Sequence, residues 1–172
     1  MTHRLALFLL ALPLTACGTI PLPAQSVNLD LEVPVPPLIE PSSMVLYLET
    51  DAFKGQTIPG TITLQRLEME ALYSGAPGER ELTVYLRETL PNCPSYQGVY
   101  ACEDAAGGVQ IAKDILVAGV AKRITLNGGK GSILDRVAHT GKGYFGLSLS
   151  KGPRTGFTDK LRLNKATAYP AL

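Results

Sequence analysis

The chain has 172 residues, with 16 basic and 15 acidic side chains and a formal net charge of +1. That balance excludes a general nucleic-acid binder, whose affinity comes from an excess of cations facing phosphates. Apolar residues make up 45% and charged residues 18%, a composition suited to one globular domain of ordinary size.

Met1-Thr2-His3-Arg4 carries one arginine and precedes the uncharged run Leu5 to Leu14. This run is too short for the roughly 20 residues that cross a bilayer core of about 30 Å. It matches the apolar region of a secretory signal peptide, with Pro13 near its end. Leu14-Thr15-Ala16-Cys17 follows. The segment resembles the lipobox of bacterial lipoproteins: an aliphatic residue, a small residue, Ala or Gly, then Cys. All four positions match. The resemblance implies a signal peptide over residues 1–16, cleavage after Ala16, a thioether-linked diacylglycerol on Cys17, and commonly acylation of the new amine. Several acyl chains on one residue anchor a protein where one chain holds it only marginally. Gly18 stands where lipoproteins retained at the inner membrane often carry Asp. By the same resemblance the expected address is the cell envelope, with the outer membrane favoured in a cell that has two.

Residues 18–42 hold six of the thirteen prolines, and residues 17–25 read as an extended, lipidated tether. A domain over residues 26–172 follows. Val27, Leu29, Leu31, Val33 and Val35 alternate with Asn28, Asp30, Glu32 and Pro34, the period of a half-buried strand, and Pro34 confines it to an edge or ends its pairing there. Met44 to Glu49 is the next strand, with Met44, Leu46 and Leu48 on one apolar face. Ile58 to Tyr73 alternates twice, with a phase slip between Leu64 and Leu67 that predicts a bulge or a bend between sheets. Ser74 to Glu79 is a turn, and Arg80 to Glu88 a strand with Leu82, Val84 and Leu86 on one face. Val109 to Val117 and Ala121 to Leu126 are strands around Gly119. Ser132 to His139 is a short helix, with Ser132 as N-cap and Asp135 three residues later. Gly143 to Ser150 and Lys160 to Thr167 close the chain. Eight or nine short strands and one helix predict an all-β fold, a single β-sandwich with a jelly roll or barrel as the nearest alternative.

Cys93 and Cys102 form an even pair in an exported chain, which predicts a disulfide. A bridge closing about ten residues contributes roughly 2.5–3 kcal/mol in the chain-entropy model. A metal site at these cysteines lacks the further ligands of a tetrahedral shell. Tyr96 and Tyr100 lie inside the closed loop and are candidate partner contacts, since tyrosine is favoured at interfaces and a closed loop is pre-organised.

The charges are unevenly distributed. Residues 17–104 hold 12 acidic and 4 basic side chains, and residues 105–172 hold 3 and 11. Either the halves interleave and pair their charges across strands, or the surface is bipolar and docks on a charged partner.

Other motifs read as ordinary structure. His139 and Asp135 share a helix face but have no third ligand. Gly128 to Ser132 lacks the Lys-Ser/Thr step of a phosphate-binding loop. Glu68, Glu70, Glu79, Glu81 and Glu88 read as solvated strand faces rather than a glycosidase pair, and there is no tryptophan to form a sugar platform. The sequence therefore predicts no catalytic residue, no metal and no cofactor. It predicts a non-enzymatic envelope lipoprotein that binds or scaffolds an envelope protein or polymer, held to the membrane through lipid on Cys17. A ligand-binding or hydrolytic lipoprotein acting on envelope polymer or a solute is the alternative, and a deep pocket would favour it.

Overall fold

The computed structural model describes residues 20–35, 44–156 and 158–172. The expected signal peptide over residues 1–16 and Cys17 lie outside the described residues. Among the described residues eleven strands form two antiparallel sheets that face each other as a sandwich, with one helix, and do not close into a barrel. The first sheet holds β1 (Gln25–Val27), β2 (Leu31–Pro34), β11 (Lys160–Ala171), β4 (Thr63–Ser74) and β9 (Lys122–Asn127). The second runs in the order β6 (Ser95–Tyr96), β7 (Val99–Cys102), β3 (Val45–Leu48), β10 (Tyr144–Ser150), β5 (Glu79–Arg87) and β8 (Val109–Val117). No helix among the described residues is long and apolar enough to cross a membrane.

The period-two patterns point where the sequence places them. Leu67, Met69, Ala71 and Tyr73 of β4 face Leu82, Val84 and Leu86 of β5 and Phe145, Leu147 and Leu149 of β10 across one core. Alternation sends each of these inward because successive side chains leave opposite faces of the pleat. The phase slip in β4 is a bulge: Tyr169 pairs with Arg66 and Pro170 with Leu64, which leaves Gln65 as the extra residue.

The predicted edge strand is two pieces. β1 and β2 both pair with β11 and are interrupted at residues 28–30. β11 itself shifts register between Asn164 and Thr167, with Lys165 at φ 50°, so the edge strand cannot follow it unbroken. Leu29 still turns inward. Pro34 sits at the end of β2, opposite Lys160.

The chain just before β1 pairs with the end of β11. Ile20 and Leu172 exchange backbone hydrogen bonds of 3.2 and 2.9 Å, and Leu22 N donates to the Pro170 carbonyl at 3.0 Å. Ile20 and Leu22 are thus tied to the end of β11. The proline composition suggested a free segment, but the backbone donors at Ile20 and Leu22 find acceptors on the last strand.

The helix α1 (Ile133–Thr140) caps one end of the sandwich. Ser132 is its N-cap and accepts from Asp135 N at 3.1 Å. The buried Asp135 carboxylate also accepts from Leu64 N and Gly131 N, at 2.9 and 2.8 Å, and so ties the helix start to β4. Ile133, Leu134, Val137 and Ala138 join the core.

β3 departs from expectation. One apolar face was predicted, yet all four residues are buried. A second, smaller core lies on the outer face of this sheet, formed by Val45, Tyr47 and Cys102 with Tyr85, Tyr100, Cys93 and Ala106. The Tyr47 hydroxyl donates to the Ala105 carbonyl. The ring lies flat over Gly146, where an added Cβ would come within 2.4 Å of it. Burial pushes the Tyr47 hydroxyl up to about 12, so it remains a donor at all ordinary pH.

Candidate functional site

The two ends of the sandwich differ. At one end β4 begins, β11 finishes and α1 closes the core, and here the two sheets leave an apolar pocket of about 230 Å³. Its floor is Leu64 and Leu67 of β4, Ala138 of α1 and Phe145 of β10, all buried. Ala168 and Pro170 of β11 form a side wall, and β1 with Leu29 forms one lip. The opposite lip is the loop after β3, with Phe53, Gln56, Thr57 and Ile58. At roughly 30 Å³ of liquid volume per water, the space matches about seven waters or a similar number of methylenes.

The loop lip is held by specific bonds. Asp51 Oδ1 accepts from Phe53 N at 2.9 Å and Gly143 N at 3.1 Å. Gly55 N donates to the Gly141 carbonyl at 2.9 Å, and Ile58 N to the Ala138 carbonyl at 3.0 Å. Polar lining groups lie at the rim, where Gln25, Ser26, Gln56 and Thr57 are exposed. None of the described lining residues is titratable. An apolar space with a polar rim accepts an apolar body and leaves a polar end in water.

His139 stands behind this lip. Its Nδ1 lies 3.3 Å from the Ile58 carbonyl and its Nε2 3.5 Å from Asp135 Oδ1. It links helix to loop, and among the described residues no cluster of three or more His, Cys, Asp or Glu side chains could hold a metal. In the Gly128–Ser132 turn, the Gly128 and Gly129 amides donate to Gln65 and Leu64 carbonyls and Gly131 N to Asp135. These donors are engaged within the protein, so the turn is no phosphate cradle.

Cys93 and Cys102 are joined, with Cα atoms 5.4 Å apart. Their loop is a hairpin of β6 and β7. Its turn places Gln97 at φ 49° and Gly98 at φ 78°, the positive-φ pair of a type I′ turn. Tyr96 pairs with Val99 and Ser95 with Tyr100. The two tyrosines therefore leave opposite faces of the hairpin. Tyr96 is 76% exposed, whereas Tyr100 packs against the smaller core. A single flat surface meets only Tyr96.

The charge split resolves into pairing. Glu32 pairs with Lys160, Asp30 with Arg162, Glu70 with Lys165, Glu68 with Arg123, and Glu88 with Arg136. Each joins an acidic residue of the first half to a basic residue of the second; the first four do so because β1 and β2 flank β11, and β4 lies between β11 and β9. Glu81 sits between Lys151 and Lys113, at 2.7 and 2.9 Å. The Lys151 and Lys113 ammonium groups hold its carboxyl down at about 2. Its contribution to stability is present above the ordinary carboxylate range and is lost only as pH falls through about 2. Carbon-detected NMR should find the Glu81 titration midpoint near 2, and Lys151→Ala should move it up towards 4.5. An unchanged midpoint in the variant would remove Lys151 as the cause.

Compared with protein-family models and with curated proteins, the chain matches none.

Proposed function

We propose that this chain is a lipid-anchored protein of the cell envelope, held through Cys17, whose β-sandwich binds an apolar ligand without performing chemistry on it. The observation that carries the reading is the apolar pocket between the sheets, with its buried floor and polar rim. Pairing of the acidic and basic halves across strands withdraws the charge argument for a bipolar docking face. Gly18 and the lipobox support an address at the outer membrane where the cell has one.

About seven buried methylenes at roughly 0.8 kcal/mol each correspond to dissociation constants on the order of 0.1 mM or somewhat tighter. The test uses the mature-length chain carrying Cys17→Ser, exported behind an ordinary cleavable signal peptide so that the disulfide forms. Titration with a fluorescent medium-chain fatty acid should saturate at one site. Ala168→Phe, which fills the pocket from its wall, should weaken binding at least tenfold while leaving the circular dichroism spectrum unchanged. Equal binding by both chains would place the fatty acid elsewhere and end the proposal.

Tyr96 favours a second reading, in which the hairpin tip touches an envelope protein or polymer. It stands on a disulfide-closed turn beside the loop lip, where Glu49 N donates to the Gly98 carbonyl at 2.8 Å. Crosslinking in intact envelopes should lose its specific product in Tyr96→Ser and keep it in Ala168→Phe.

A further inference from the structure

We infer that the pocket is occupied by one of the acyl chains that Cys17 itself carries. The inference rests on the lipid-anchor and pocket readings above and names their common ligand. The anchor and the pocket belong to one segment: the chain that leaves Cys17 becomes β1, and β1 is a lip of the pocket. Leu22 N bonds the carbonyl of Pro170, and Pro170 lines the pocket. Three residue steps lead from Cys17 to Ile20, which bonds Leu172, two residues beyond Pro170. At about 3.6 Å each they keep Cys17 within about 11 Å of Ile20. An acyl chain that fills one leaflet extends about 15 Å, half of a hydrocarbon core of roughly 30 Å. Ile20 lies two residues from Leu22, so an acyl chain of that length turning back from Cys17 can reach the pocket wall at Pro170.

Capacity agrees with this assignment. A space for about seven methylenes takes the distal part of a single chain, and its untitratable walls suit a methyl end rather than a headgroup. A fully processed lipoprotein cysteine carries three chains, so sheltering one leaves two in the leaflet, enough for stable anchoring. The short connection also gives the tethered chain a high effective concentration at the mouth, of millimolar order for short flexible linkers. A free fatty acid has no such advantage.

The test uses the lipidated mature chain, one copy per phosphatidylcholine nanodisc, with benzoylphenylalanine in place of Phe53 on the lip. After irradiation and digestion, mass spectrometry should find the residue-53 peptide joined to the lipidated N-terminal peptide. The yield should be at least tenfold above that with the photoreactive group in place of Lys113, on the edge strand β8. Ala168→Phe should reduce it at least fivefold. Crosslinks to phosphatidylcholine instead would overturn the inference while leaving an acyl-binding pocket. Absence of any acyl crosslink, with fatty-acid binding by the Cys17→Ser chain retained, would overturn it too. Loss of that binding as well would remove the pocket reading, and an N-terminal peptide without acyl mass would remove the anchor reading.

Discussion

Asp159→Ala should lower the free energy of unfolding by about 3–5 kcal/mol, the range for removing one partner from a buried charged network. The end of the sandwich opposite the pocket holds Arg80, Tyr73 and Asp159, with residue exposures of 1%, 0% and 4%. Arg80 Nη2 donates to the Tyr73 hydroxyl at 3.3 Å, and that hydroxyl donates to Asp159 Oδ2. Arg80 Nη1 donates to the Lys151 carbonyl at 3.3 Å, while its Nε has no partner among the described residues. Burial and the Asp159 carboxylate hold the Tyr73 hydroxyl above its ordinary range, which fixes it as the donor in the relay. Deleting the carboxylate strands the phenol and leaves the buried guanidinium with no anion at the end of the relay. Urea denaturation measures the loss. Arg80→Met combined with Asp159→Asn should recover at least half of it, because the buried cation is gone. A cost below about 1 kcal/mol for Asp159→Ala would mean that the carboxylate does not neutralise Arg80.

Removal of the disulfide by Cys93→Ala with Cys102→Ala should cost about 2.5–3 kcal/mol in the chain-entropy model. The effect should concentrate on the smaller core. Cys102 pairs with Val45 across β7 and β3, and both cysteines pack beside Tyr47. Tyrosine absorbance between pH 9 and 12 reports the consequence. In the intact protein Tyr47 ionises near 12; in the variant its midpoint should fall towards 10. The sign is that of a raised pKa: the contribution is complete below about 10 and disappears as pH rises through 12. An unmoved midpoint would show that the loop around Ala105 covers Tyr47 without help from the bridge.

Local chemistry made much of this fold legible. Ser132 and Asp135 marked the helix start, the slip between Leu64 and Leu67 marked the bulge at Gln65, and the alternation from Val27 to Val35 marked an edge. Val109 to Val117 was read with its observed bounds. Other elements left weak signals. β6 is two residues long, too short for any period, and Pro170 discouraged extending β11 to Ala171. The buried position of Arg80 does have a sequence signal. It shares its parity with Leu82, Val84 and Leu86, so the pleat sends it inward with them. An inward arginine demands partners, and Tyr73, on the inward parity of β4, is one.

The pocket was not legible because no local pattern encodes it. Its walls come from β1, the loop after β3, β4, α1, β10 and β11. At each position a Leu, Ala or Phe reads as ordinary core, and only the assembled fold leaves space between them. The charge halves teach the converse. They are conspicuous in sequence, yet antiparallel pairing brings them together and largely neutralises the split.

The most direct measurement is an NMR titration of the exported Cys17→Ser chain with carbon-13-labelled decanoic acid. The account predicts intermolecular NOEs from the chain methylenes to the methyl groups of Leu64, Leu67 and Ala138, with the carboxylate end near Gln25 and Gln56. NOEs confined to exposed apolar residues such as Ile20, Val120 or Leu172, with the pocket methyls unshifted, would contradict it.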